Sequence, residues 1–565
     1  MRIKKLVKLF AGVLITSMML TGCGKESEPQ AENTAPAADQ EESATDVSQE
    51  LYTEVGTYPI VNDPITMSVF ASQAVNIIDF NTNEFTQFME EMTGIDLEFE
   101  TAPQDAAKEK VNLIMTGGDM PDIFLVGNSG AVPDETRFGV EEGSLIDLTE
   151  LIETQMPNFK QILDETPGLR GQITATDGKI YSLPFYNEAY HVTLSQKMWV
   201  NTKLLEELGE ELPKTTEDFY QICKAYKEKN PDGIPICGGT FWNGDPTAFL
   251  SNPFLYHPGT GSPHGMVVSG GTVSTIADTE EYREALRFMN QLYEEGLLYE
   301  GSFTMDGTQA KALMASEGEP VLFMSGAAIT SFIDSSANPE LYSHYYMLEP
   351  LTGPDGENNA TYVPTTAAPA FAITTSCEYP EAAARMVDYL YTLEGSLNAK
   401  SGVKGAENWD DPEEGQVGLD GNPALYQVFR PYSLEPQNVT WQDAGVAYAS
   451  SEFRFGEATD PDLDMYAPEG LELLLYRGTH DLYEPHKPTD VETLPGALKL
   501  TLDESTSIQT KSVEVQNYYT QSRVQFITGA LDLDTDWETY TKGLEDMGMN
   551  DLLTVYQAAY DRQYK

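Results

Sequence analysis

ITMSVF at 65–70, EFTQFMEEM at 84–92, IDLEFE at 95–100, AAKEKVNLIM at 106–115 and DIFLV at 122–126 decide the architecture, because the hydrophobic period changes from one stretch to the next. Ile65 to Phe70 is an apolar run of strand length, and Phe85, Phe88, Met89 and Met92 then fall on one helical face. Gly94 suits the left-handed cap that closes such a helix. Ile95 to Glu100 alternates as a half-buried strand does. A second helix is expected from Ala106 to Met115, broken at Thr116-Gly117-Gly118-Asp119-Met120-Pro121, and Asp122 to Val126 reads as a buried strand. Strand, helix, strand, helix, strand predicts an α/β fold with a parallel sheet. In an open parallel sheet the ligand crevice lies beyond the carboxyl ends of the strands. Ala71-Ser72-Gln73 and Gly127-Asn128-Ser129 are therefore expected at one cleft.

Toward the amino terminus, Arg2, Lys4, Lys5 and Lys8 precede an apolar run from Leu9 to Leu20, followed by Leu20-Thr21-Gly22-Cys23. Basic residues, a short apolar run and small residues make residues 1–22 a secretion signal. The run is shorter than the ~20 residues a membrane-spanning helix needs. The tetrapeptide resembles the lipobox of bacterial lipoproteins, which implies that Cys23 carries the lipid, is the new amino terminus and provides the chain's sole contact with the membrane. From Gly24 to about Thr57 the chain is rich in Glu, Gln, Ala, Ser, Thr, Asp and Pro. Such a composition buries too little apolar surface to fold, so residues 23–57 are expected to be a disordered tether.

The ~500 residues beyond the tether exceed the size, about 250–300 residues, at which one core stops growing, so at least two lobes are expected. Lys and Arg number 33 against 90 Asp and Glu, a net charge of −57, which excludes nucleic acid as a partner. Most of these carboxylates read as a solvated surface. Apart from Cys23, the cysteines are Cys223, Cys237 and Cys377. Cys223 and Cys237 are near enough in sequence to pair, but buried thiols are the favoured state. The histidines, at 191, 257, 264, 344, 480 and 486, show no zinc-ligand spacing, and no metal or cofactor is expected.

Three segments in order carry a family resemblance: Gly118-Asp119-Met120-Pro121-Asp122-Ile123, then Asp177-Gly178-Lys179-Ile180-Tyr181-Ser182-Leu183-Pro184, then Val200 to Leu205 with Leu212-Pro213-Lys214-Thr215-Thr216-Glu217-Asp218-Phe219. With Tyr379-Pro380-Glu381-Ala382 to Gly395, Asp536-Trp537-Glu538-Thr539-Tyr540 and Gly548 to Tyr560, they are similar to the extracellular solute-binding proteins of carbohydrate ABC importers. That family is maltose-binding-protein-like, and the chain resembles its large Gram-positive lipoprotein branch. The resemblance implies a periplasmic-binding-protein-like type II fold, with two α/β lobes joined by a multi-crossing hinge around a ligand cleft. The expected N-terminal lobe is 58–184 with about 365–400, and the C-terminal lobe 185–364 with about 401–565. Crossings are expected near Pro184 to Tyr186, around Tyr362 to Ala370, and after Gly395. The implied activity is capture of an oligosaccharide by a monomer and delivery to the transmembrane subunits of a permease, without catalysis. Some large relatives carry a calcium loop where this chain has Asn230-Pro231-Asp232-Gly233-Ile234, too few oxygens for a cation cage. The family's usual aromatic near Ser325-Gly326-Ala327-Ala328 is also missing, which weakens a maltose-like assignment.

Sugar recognition needs flat aromatic faces for C–H surfaces and planar amides or carboxylates for hydroxyls. Tyr186, Glu188 and Tyr190 follow Pro184 where the chain first changes lobe, and the resemblance implies a sugar-binding carboxylate at Glu188. Trp242 and Asn243 lie in a Gly- and Pro-rich loop, Gln73 and Asn128 at strand ends, and Trp409 and Trp441 in another irregular region. Each has a structural alternative. A loop Trp also serves as a lid over a core, and polar strand ends also cap helices. Rival functions are a surface glycoside hydrolase, which needs two carboxylates about 5–10 Å apart, a binder of peptides or other small solutes on the same fold, and a tethered adhesin.

Overall fold

The computed structural model describes residues 51–565 except 431–434 and 468. The secretion signal, Cys23 and the tether up to residue 50 lie outside the described residues. Residues 51–57, which composition assigned to the tether, fold against the body. Tyr52 bridges to Val61, and Arg385 donates to the Thr53 carbonyl at 2.7 Å while its guanidinium lies 5.3 Å from the Tyr52 ring centre.

The first sheet has six strands in the order Ala447–Ala449, Leu183–Asn187, Ala368–Ile373, Ile123–Leu125, Ile65–Gln73 and Ile95–Pro103. Ile65–Gln73 pairs in parallel with Ile95–Pro103 and Ile123–Leu125, as the alternating periods predict. The sheet is nevertheless mixed. Ala368–Ile373 runs antiparallel to both of its neighbours because it arrives from the other half of the molecule. Asn83 caps the helix Glu84–Thr93 by accepting the Phe85 N–H at 3.0 Å, and Gly94 closes it at φ 76°, a left-handed conformation that glycine adopts without a Cβ clash. Phe85, Met89, Phe159, Leu183, Phe371 and Val387 fill the core on one face of this sheet, and Phe70, Phe124 and Phe138 that on the other.

The second sheet has four strands, Tyr345–Leu348, Met198–Asn201, Val321–Ser325 and Ile234–Cys237. Its separate core includes Trp199, Phe219, Phe323, Tyr282 and Phe526. Thr216–Lys229 covers it with a capping box, in which Thr215 accepts the Asp218 N–H and Asp218 accepts the Thr215 N–H. Cys223, Cys237 and Cys377 are free and buried.

The chain passes from the first core to the second after Asn187 and back before Ala368. The third passage differs from the sequence expectation of a crossing after Gly395. Trp409–Asp410 and Gln427–Val428 form a small sheet of their own, and Ala447–Ala449 then pairs with Phe185–Asn187 in the first sheet. Trp441 explains why: it is fully buried, its ring centre lies 4.8 Å from that of Phe85, and its indole N–H donates to Thr86 at 2.8 Å. The strand that carries Pro184 runs from Leu183 to Asn187. Apart from these passages, Lys499 meets Glu135 at 2.7 Å and Gln563 donates to the Gly171 carbonyl at 2.9 Å, tying the second half to the first.

Trp441→Ala removes a buried indole from the first core and should cost about 3–5 kcal/mol in urea denaturation, with Trp441→Phe costing less.

Candidate ligand-binding site

The carboxyl ends of the strands define the site. In the first sheet, Ile65–Gln73, Ile123–Leu125, Leu183–Asn187 and Ala447–Ala449 all end on one edge, which is also the edge from which the chain leaves for the second sheet. In the second, Ile234–Cys237 and Val321–Ser325 end together in parallel, leading into the loops 238–246 and 326–328.

At the passages, a cavity of about 530 Å³ is lined by Tyr186, Glu188, Tyr190, Tyr362, Phe455 and Tyr476, among others. Three of the sequence candidates thus converge. Their hydrogen bonds are internal to the passages. Glu188 accepts the Tyr186 hydroxyl at 2.9 Å and the Ser451 N–H at 2.8 Å, so its carboxylate holds the first passage to the third. Tyr186 stacks on Tyr448 with ring centres 5.5 Å apart and planes 12° from parallel. The Tyr190 hydroxyl donates to Glu484, and the ring stands edge-on to Phe455. Lys487 lies 3.4 Å from the centre of the Tyr362 ring, a cation–π contact. Behind this wall Lys197 is fully buried and donates to the carbonyls of His191, at 2.9 Å, and Leu194. Burial pushes its ammonium down to about 7.

A second cavity, of about 540 Å³, is lined by Gln196, Asp245, His257, Tyr519 and Arg523, among others. Arg523 meets Asp245 at 2.5 Å, and Thr247 donates both its N–H and its hydroxyl to the same carboxylate. Burial alone would raise the Asp245 pKa, but Arg523 and these donors outweigh it and hold the group below its ordinary value. Burial, reinforced by Arg523 and opposed by Asp245, pushes His257 down to about 3, so the ring is neutral.

The other candidates are dispersed. Asn128 lines a smaller cavity of about 210 Å³ at the end of the first sheet. Gln73 is consumed locally: its amide donates to the carbonyls of Ile77 and Ile78 and accepts from Thr101. Trp242 is 48% exposed on the loop after Ile234–Cys237. Asn243, next to it at φ 48°, donates to Ser195 and accepts from Thr260. Trp441 is core, and Trp409 is buried with Leu397, Tyr426 and Phe453, donating to Asn398 at 2.9 Å. Both rings are covered by protein. Among the described residues, no group of His, Cys, Asp and Glu is placed to hold a metal ion.

Sequence reasoning did not single out Tyr362, His257, Tyr519 or Arg523. Asp245 and Arg523 are 278 residues apart, so no local pattern joins them. One signal was present: Ile508, Val515, Tyr519 and Phe526 are the buried stripe of the helix Leu502–Ile527, and Arg523 follows Tyr519 by four residues, on the buried side.

A family model described as bacterial extracellular solute-binding protein matches residues 79–396. The sequence is 27% identical to the fructooligosaccharide ABC transporter substrate-binding protein FusA of Streptococcus pneumoniae, covering 98% of this chain and 97% of that protein. It is 23% identical to lipoprotein LipO of Bacillus subtilis, over 83% of this chain and 88% of the relative. Among solved structures, FusA in complex with kestose is similar with a TM-score of 0.66 at 24% identity, covering 88% of this chain and 99% of that one. An extracellular solute-binding protein from Bifidobacterium longum subsp. infantis has a TM-score of 0.71 at 18% identity, covering 89% and 99%. Both likenesses are of fold, the type II periplasmic-binding-protein arrangement.

His257 gives this region a pH signature. Unfolded, the ring takes up a proton near its ordinary 6.5, but folded it refuses one until about 3. Its contribution is therefore fully present above pH 6.5 and is lost as the pH falls toward 3. Between about pH 7 and pH 4, the wild-type Tm should fall faster than that of His257→Gln. Parallel curves would contradict a buried neutral ring.

Proposed function

Because the chain belongs to the bacterial extracellular solute-binding protein family, we propose that it captures an oligosaccharide between its two halves and hands it to the permease of an ABC importer. The observation that carries this reading is the cavity at the passages, where Tyr186, Tyr190, Tyr362 and Tyr476 bring aromatic faces together with hydroxyls, Glu188 and Lys487. Tyrosine supplies a flat surface for sugar C–H groups and a polar rim for hydroxyls. The carbohydrate class is supported by FusA, named for fructooligosaccharides and solved with kestose.

The mechanism is hinged closure. Each half has its own core, so motion between them concentrates in the few residues of the passages. A ligand touching both halves stabilises the closed form over the open one, and only differential contact shifts that equilibrium. The permease then reads the closed form. The protein acts as a monomer and performs no chemistry on its solute.

Cys23, which accepts the lipid and becomes the amino terminus once residues 1–22 are removed, holds the protein at the extracytoplasmic face of the membrane. Lipoprotein LipO is a relative with that class of anchor in its name. Cys23→Ala should release the protein into the medium; retention on the cell would contradict the anchor.

Isothermal titration of the purified protein with kestose, nystose, diacetylchitobiose and digalacturonate tests the ligand class. Saturable binding of at least one saccharide is expected. Binding of short peptides with no response to any saccharide would overturn the carbohydrate reading.

A further inference from the structure

The cavity walled by Arg523 holds more hydrogen-bond donors than the protein satisfies. Arg523 Nε and His257 Nε2 are both buried without a partner, and the buried Tyr519 hydroxyl has only the Tyr282 hydroxyl to pair with. His257 and Tyr519 are each 4% exposed. The tautomer of His257 follows from its neighbour: Nδ1 accepts the Gly259 N–H at 3.0 Å, so the proton sits on Nε2. A buried polar group left unpaired costs about 1–3 kcal/mol. Two around one cavity call for an occupant that supplies the missing acceptors. At about 540 Å³ the space lies within the ~300–1,000 Å³ of small-molecule sites.

The charges select the occupant. Asp245 neutralises Arg523 at 2.5 Å, so the lining offers donors and an acceptor side by side with no net charge from the pair. Adjacent sugar hydroxyls, each both donor and acceptor, match that arrangement. An anion would meet the Asp245 carboxylate and a chain of net charge −57. The position selects the subsite. Gln196, in the cavity wall, donates to the carbonyls of Asn243 at 3.3 Å and Asp245 at 2.9 Å, and Thr260 donates to the Asn243 side chain at 3.1 Å. The cavity therefore shares a wall with the loop carrying exposed Trp242.

We propose that this cavity is the end subsite of the oligosaccharide site, taking a neutral terminal sugar ring through Arg523, Asp245, His257 and Tyr519 while the preceding ring lies at Trp242. The assignment rests on the carbohydrate reading above.

The test uses the saccharide of the same panel that the wild type binds most tightly, with Tyr519→Phe and Thr520→Leu, the second of which narrows the cavity. Tyr519→Phe removes a hydroxyl from the cavity wall and should weaken binding about ten-fold with the Tm unchanged. A purely structural role would lower affinity only by lowering stability. Thr520→Leu should also weaken binding, and it decides the matter if Tyr519→Phe does not fold. Unchanged affinity in both variants of a protein that binds a neutral saccharide would overturn the subsite and leave the carbohydrate reading intact. No saccharide binding by the wild type would overturn both. Tightest binding of digalacturonate, weakened by the same variants, would overturn the neutral ring.

Discussion

The Glu188 carboxylate binds two segments of chain that are 263 residues apart, accepting the Tyr186 hydroxyl with one oxygen and the Ser451 N–H with the other. Beside it Arg454 donates to the Asn187 side chain at 3.2 Å, and Tyr186 stacks on Tyr448. A half-buried carboxylate with two donors is costly to strip, because its hydrogen bonds are charge-assisted and their loss leaves an unpaired charge. The first and third passages are therefore joined at this carboxylate. Between them lies the cavity of tyrosines, whose shape depends on this join.

Around that join the molecule spends its polar groups unevenly. The passages are internally satisfied: Glu188, Tyr186, Tyr190 and Lys197 all have partners within the protein. The Arg523 cavity is not, and its unpaired donors sit at the end of the second sheet. Under the proposed closure, the passages would keep their bonds in both states and the cavity walls would gain theirs from a ligand. Glu135 and Lys499 add a second tie between the halves, with the Glu135 side chain only 9% exposed.

Much of the fold was legible because it is local. Phe85 and Met89 at helical spacing and Gly94 as a cap each need only a few neighbouring residues. The resemblance supplied the two-sheet plan. What was not legible depends on distant pairing. The antiparallel return of Ala368–Ile373 and the late third passage at Ala449 are fixed by partners over a hundred residues away or by the burial of Trp441. The site divides the same way. Tyr186, Glu188 and Tyr190 line one cavity and follow one another in sequence, so a local reading groups them. Trp409 and Trp441 looked alike in sequence, but both are core. Arg523 and His257 line one cavity with Asp245 only through tertiary packing.

Closure of two halves around an oligosaccharide is the central claim, and small-angle X-ray scattering in solution tests it most directly. Addition of a saturating saccharide should shrink the radius of gyration and sharpen the distance distribution. A scattering curve unchanged by a saccharide that calorimetry shows to be bound would contradict hinged capture.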